Sequence, residues 1–285
     1  MTKEQILTQL KMDLEIRGRS PDTVEDYVAR IKRFQDHFDK PADQMKEEQI
    51  KEYQHYLLKE KKLSASSINT YNSAIRFVYG VTLDIALNLR KIPRMKQIRS
   101  IPVLPTKDEL GYLFYLAGLD NLRDRALFMT IYGAGLRISE AVNLKVSDIE
   151  SENGRILVRK GKGGRDRYAI LPKKALEALR EYWKETQSKE WLFITKRGTK
   201  MTDKSIHDAW KKYVKRSGFT KHITVHTLRH CFATHLLNEG NNVYAIKRLL
   251  GHVRIDTTTW YLQFADSEIL KLKSPLDTMK ERGNA

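Results

Sequence analysis

The chain is expected to be mainly α: an N-terminal four-helix bundle, then a larger helical domain that carries a small antiparallel sheet. Three observations predict this. The 285 residues exceed what one core comfortably organises. Apolar residues recur at helical spacing through most of the chain. The clear change of period is a pair of short β-type runs around a glycine-rich turn. Hydrophobic residues at 41% suffice for two cores and exclude wholesale disorder.

Residues 1–90 read as helices only. Ile6, Leu10 and Leu14 form a first stripe, ended by Gly18. Ser20 and Pro21 supply an N-cap and a first helical residue for a second stripe, Tyr27, Val28, Ile31, Phe34 and Phe38. A third runs Ile50, Tyr53, Leu57, and a fourth runs Ile68, Tyr71, Ile75, Val78. Short connections make these a bundle. The Ser64–Ser67 cluster caps the fourth helix beside Lys61 and Lys62. That start suits a backbone phosphate, and equally a plain cap beside a solvated charge run.

Residues 91–105 hold three of the seven prolines and four basic side chains with no acid, which predicts an extended, basic interdomain linker. The second domain, 106–285, opens with a capping box at Thr106–Glu109, followed by helices near Leu110–Leu116 and Leu122–Tyr132. The runs 155–160 and 167–171 then form a hairpin whose tip, 161–166, is glycine-rich and basic. After Pro172 the helical pattern resumes, interrupted by a strand candidate at Trp191–Thr195.

Lys and Arg number 52 against 35 Asp and Glu, a formal charge of +17. Residues 1–100 contribute 19 basic and 14 acidic side chains and the remainder 33 and 21, so the excess is no tail. A polyanion is the partner this implies, and nucleic acid fits better than a membrane surface because no basic amphipathic anchor stands apart. No apolar run approaches the roughly 20 residues of a membrane span, and the start MTKEQILTQL lacks the apolar stretch of a signal peptide. A cytoplasmic protein is expected. The one cysteine, Cys231, excludes an internal disulfide framework and a cysteine-based zinc site.

Six of the eight histidines fall between residues 207 and 252. His226, Arg229 and His230 would share one helical face. Imidazoles admit a metal reading. Against it, the spacing is not His-Glu-x-x-His, no carboxylate lies within the cluster, and the central arginine repels a cation and attracts a phosphate. An anion site reads better. Upstream, Gly133-Ala-Gly-Leu-Arg137-Ile-Ser-Glu140 brings an arginine to a glycine-rich helix entry; downstream come Leu250-Gly251-His252 and Asp256–Tyr261.

Taken in order, Arg137, the glycine-flanked Lys162, His226-x-x-Arg229, Leu250-Gly251-His252 and Tyr261 resemble the tyrosine recombinase (phage integrase) family, closest to its short Xer-like members. The successive spacings of 25, 3, 23 and 9 residues (from 137 to 162, 226 to 229, 229 to 252 and 252 to 261) carry the resemblance. So do the dense local matches HTLRHCFATHLL and LLGHVRIDTTTWY. It spans the chain, and it implies a SAM-like core-DNA-binding bundle at 1–90 and a recombinase catalytic domain at 106–285. An extra N-terminal arm-binding domain is not expected. Gln263-Phe264 depart from the histidine and aliphatic residue that relatives often carry after the tyrosine.

The resemblance implies cleavage and rejoining of double-stranded DNA at a specific core site through a 3′-phosphotyrosine. Strand exchange would pass through a Holliday junction in a tetramer on two sites. No cofactor, metal or ATP is expected, and any accessory protein is unknown. Tyr261 would be the nucleophile, favoured over Tyr244, which precedes the Leu-Gly-His element. Tyrosine, with an ordinary pKa near 10, is ionised to only about one part in a thousand at neutral pH, so cations must assist it. Arg137 and Arg229 would grip the non-bridging oxygens, His226 and His252 would relay protons, and Lys162 would protonate the leaving 5′-oxygen. Glu140 would orient these groups. His230, His235 and Cys231 read as packing residues. The tail 267–285 would dock on a neighbouring protomer or on its own domain. A type IB topoisomerase shares the chemistry, and a catalytically inert DNA-binding regulator shares the surface.

Overall fold

The computed structural model describes residues 1–96, 104–116, 121–159, 166–221 and 223–251. The chain divides into two bodies, Met1–Ser100 and Ile101–Ala285.

Four helices build the first body: α1 (Lys3–Ile16), α2 (Pro21–Phe38), α3 (Glu47–Lys59) and α4 (Ala65–Phe77). Their starts follow the local chemistry. Thr2 and Gln5 form a capping box on α1, and Ser20 and Ser64 accept the backbone N–H of Thr23 and Ser67 at the starts of α2 and α4. The four stripes face one another, and Ile6, Leu10, Leu14, Ile31, Phe34, Ile50 and Ile68 are fully buried. A π-type turn, Val78–Thr82, ends α4 and seats Tyr79, whose hydroxyl donates to the carbonyls of Ala42 and Met45.

This body continues beyond residue 90. Ile92 is fully buried in its core, and Met95 packs against it. The Asn69 side chain clasps Met95 twice, donating to its carbonyl and accepting its N–H, both at 2.9 Å, while Arg76 donates to the Ile92 carbonyl at 2.6 Å. The opening residues of the expected linker are thus stitched to α4, because Ile92 has an apolar seat that proline spacing does not reveal.

The first helix of the second body is α5 (Lys107–Gly111), started by the capping box of Thr106 with Glu109; a π-type turn, Tyr112–Leu116, prolongs it. Then come α6 (Leu122–Ala134), α7 (Ile138–Val142), strands β1 (Ile149–Glu150), β2 (Arg155–Val158) and β3 (Arg167–Ile170), and helices α8 (Lys173–Thr186), α9 (Asp203–Arg216), α10 (Val225–Asn238) and α11 (Val243–Leu250). The sheet is antiparallel in the order β1-β2-β3, with Val158 opposite Arg167. Helix α6 runs through the core, burying Ala126, Leu127, Phe128 and Ile131 among α8, α9 and α10. No described helix is long and apolar enough to cross a membrane.

The mainly α fold with a small antiparallel sheet is the expected class. One local expectation needs correction, and one strand lay outside what the sequence predicts. Trp191–Thr195 is not a strand: only isolated bridges join Lys145 to Trp191 and Ile194 to Lys200, and its apolar residues serve the core, where Phe193 is fully buried. Strand β1, two residues long, is too short to leave an alternating pattern.

Candidate active site

The site is organised by one carboxylate. Helix α6 ends where Gly135 turns left-handed (φ 61°), and two residues later Arg137 is the N-cap of α7. Glu140, in the first turn of α7, reaches back to accept the Arg137 backbone N–H at 2.8 Å and its guanidinium Nη1 at 2.7 Å. Two further arginines converge on the same carboxylate. Arg167, at the start of β3, donates from Nη1 to Oε1 at 3.2 Å and from Nη2 to Oε2 at 3.0 Å. Arg229, on α10, lies with Nη1 3.6 Å from Oε2.

Three guanidiniums around one carboxylate leave a surplus of two positive charges. Burial pushes the Glu140 carboxyl up, but Arg167, the Arg137 N–H and guanidinium, and Arg229 outweigh it and hold the carboxyl below its usual range. The acid is therefore ionised at neutral pH.

Arg229 is 1% exposed. Its Nη1 donates to the Gly135 carbonyl at 2.5 Å and its Nη2 to the Leu250 carbonyl at 2.7 Å. These carbonyls end α6 and α11, so two helix C-termini offer their partial negative charge to one buried cation. Arg137, with 22% of its side chain exposed, is the arginine of the cluster that opens most to solvent. Two glycines permit the close approach. A Cβ on Gly135 would stand 2.4 Å from Phe232 Cδ1, and one on Gly251 (φ 64°) would stand 2.7 Å from Arg167 Cδ.

His226 stands at the surface in the first turn of α10, its ring 4.7 Å from that of His230 at 83°. Desolvation, then Arg229, Arg137 and His207, lower its pKa, and desolvation takes His230 down to about 4. His230 is thus neutral at pH 7, and the shift at His226 favours its neutral form, which can give or take one proton. The far flank of α10 is structural. His235 Nε2 bonds the Pro105 carbonyl at 3.1 Å and Nδ1 bonds the Tyr132 hydroxyl at 2.9 Å, while Cys231 is fully buried with Sγ 3.8 Å from that same carbonyl. Tyr244 on α11 is 66% exposed.

The structure thus brings Arg137, Glu140 and Arg229 together, with His226 one helical turn from Arg229. Lys162, His252, Tyr261 and the tail 267–285 lie outside the described residues. Arg167 was not singled out by sequence reasoning. Its only signal was an arginine at a strand start opposite Val158, which the hairpin register turns toward Glu140. Among the described residues no group of three His, Cys, Asp or Glu side chains could hold a metal ion.

Comparison with known proteins gives a family match for each body. Residues 106–268 match the model of the "Phage integrase family", and residues 6–89 match "Phage integrase, N-terminal SAM-like domain". The integrase/recombinase y4qK of Sinorhizobium fredii is 38% identical over 284 residues, covering 98% of this chain and 92% of that protein. Tyrosine recombinase XerA of Pyrococcus horikoshii is 34% identical over 262 residues, covering 90% and 88%. The XerH site-specific recombinase, solved bound to its palindromic difH substrate after cleavage, shares the fold with a TM-score of 0.73 at 21% identity, covering 95% of this chain and 85% of that one.

Proposed function

Since the chain belongs to the phage integrase family and is a site-specific DNA recombinase, we propose that Tyr261 is its nucleophile and that the arginine cluster around Glu140 receives the scissile phosphate. Tyr261 Oη attacks phosphorus, the bond to the 5′-oxygen breaks, and Lys162 supplies the proton that oxygen needs. The 3′-phosphotyrosine keeps the energy of the broken diester, so a 5′-hydroxyl from a partner strand reverses the step and exchange proceeds through a Holliday junction. Neither metal nor nucleotide enters this scheme.

The observation that carries the reading is the charge surplus of Arg137, Arg167 and Arg229 over Glu140, one helical turn from His226. A phosphodiester holds one negative charge and its pentacoordinate phosphorane two, so fixed cations favour the latter. Arg137, the most exposed of the three, offers its planar fork to the non-bridging oxygens, and Glu140 fixes its plane; Arg229, held on the Gly135 and Leu250 carbonyls, adds its charge from behind. His226 and His252 move protons to and from the phenol and the solvent.

We assign residues 1–90, together with the Ile92–Met95 stretch packed on them, to core-DNA binding, the rest of 91–105 to the connection, and 106–285 to catalysis. Double-stranded core DNA is the substrate, bound as a tetramer on two sites, and the cytoplasm is the compartment.

The test uses a nicked duplex built on the sequence this protein protects in footprinting. In EDTA, the intact protein should form a covalent adduct with it, and Tyr261→Phe should bind the DNA without forming any. An adduct in the phenylalanine variant would reassign the nucleophile. Arg137→Ala should slow adduct formation on the order of 10²-fold; a rate within a few-fold of the parent would remove Arg137 from the site.

A further inference from the structure

Arg167 links several parts of this site. Its two terminal nitrogens take both oxygens of Glu140, and its Nε donates to the Leu249 carbonyl at 2.9 Å. Its Cδ and Nε lie against the α carbon of Gly251, where any side chain would collide with them. One side chain from the hairpin stem therefore links β3, the first turn of α7, and the end of α11 that leads into the Leu-Gly-His element. It is 11% exposed, against 22% for Arg137.

Two physical consequences follow. Without Arg167, the cluster's surplus falls from two positive charges to one, which matches a phosphodiester but no longer a phosphorane. And a Glu140 carboxylate without its bidentate partner would draw the remaining guanidiniums inward, turning the Arg137 fork away from solvent.

We propose that Arg167 is a positioning residue for strand cleavage: by engaging both Glu140 oxygens it keeps the Arg137 fork aimed outward and sets the site's charge for a doubly negative transition state. It touches neither the phosphate nor the nucleophile. This rests on the reading that Arg137 grips the scissile phosphate.

The experiment measures covalent adduct formation by the full-length protein on nicked duplexes of the footprinted site. One duplex carries the ordinary diester at the scissile position and the other a methylphosphonate, which removes one negative charge from both ground and transition state. Arg137→Ala serves as reference, and Arg167→Gln and Arg167→Lys are the test variants. Arg167→Gln should slow the diester reaction by about 10- to 100-fold, in the range of one lost transition-state donor or less. Its deficit should shrink at least tenfold on the methylphosphonate, as should that of Arg137→Ala. Arg167→Lys, which keeps the charge and loses the fork, should recover part of the diester rate.

A role limited to holding the fold predicts instead the same loss on both duplexes, and that result overturns the proposal, as does a diester rate within threefold of the parent. Relief for Arg137→Ala but none for Arg167→Gln sinks this inference alone. No relief for Arg137→Ala sinks the phosphate-gripping assignment on which it stands. If Arg167→Gln melts well below the parent, Arg167→Lys decides: a deficit smaller on the methylphosphonate supports the proposal, and an equal deficit on both duplexes refutes it.

Discussion

Gly135→Ala tests whether the close approach of α6, α10 and α11 is as tight as described. At φ 61° an alanine occupies the left-handed region, at a cost of about 1–2 kcal/mol. Its Cβ would also stand 2.4 Å from Phe232 Cδ1 and 3.0 Å from Leu250 Cδ2, both in a buried cluster with little room to retreat. Such overpacking adds about 1–3 kcal/mol, for about 2–5 kcal/mol together. Gly154 supplies the control: its φ is 60° and nothing lies within 4 Å of an added Cβ, so Gly154→Ala should cost only the backbone term. Denaturant unfolding followed by tryptophan fluorescence suits the comparison. The four tryptophans, Trp183, Trp191, Trp210 and Trp260, all belong to the second body, so the signal reports on it alone. Gly135→Ala should also slow cleavage beyond its effect on folding, because the displaced carbonyl is the one Arg229 bonds at 2.5 Å. Equal destabilisation by the two alanines would refute the packing argument.

Three further outcomes are expected. Glu140→Ala should cost about 3–5 kcal/mol, as removal of one member of a buried ion cluster does, and the double variant with Arg167→Met should cost less than the two singles combined, read by the same fluorescence. His230, with its pKa held at about 4 against an ordinary 6.5, takes up protons more readily when unfolded; its share of stability is therefore complete above pH 6.5 and is lost as pH falls toward 4. A pH series of melting curves should flatten over that interval in His230→Gln. Asn69→Ala should release Met95 at a cost of about 1–3 kcal/mol for two hydrogen bonds, seen as faster tryptic cleavage after Arg94.

The helices were legible because their stripes and caps coincide. Ser20-Pro21, Ser64 and Thr106 mark starts that the structure keeps, and the hairpin was legible from its glycine-rich tip between β-type runs. Arg137, Glu140 and Arg229 were readable as an ordered motif, and their convergence follows from the fold. What escaped was decided by tertiary context. Arg167 is one basic residue among 52, and only the register of β3 and the arrival of α11 turn it onto Glu140. Ile92 sits among prolines and cations that signal a connector, yet a pocket in the first body claims it. The apolar run at Trp191–Thr195 has strand composition but no neighbouring strand long enough to pair with it.

Helix α10 is fastened at its back to the entry of its own body. Pro105 is held there by His235, Lys107 pairs with Glu239, and Lys221, just ahead of the helix, takes both oxygens of Glu109 at 2.6 and 2.7 Å. His235 and Glu239 lie toward the C-terminal end of that rod, Lys221 just ahead of its start, and His226 and Arg229 in its first two turns. The segment 105–109 and the helix that carries His226 and Arg229 are thus cross-tied at three points, so a displacement of one must break or strain its bonds to the other.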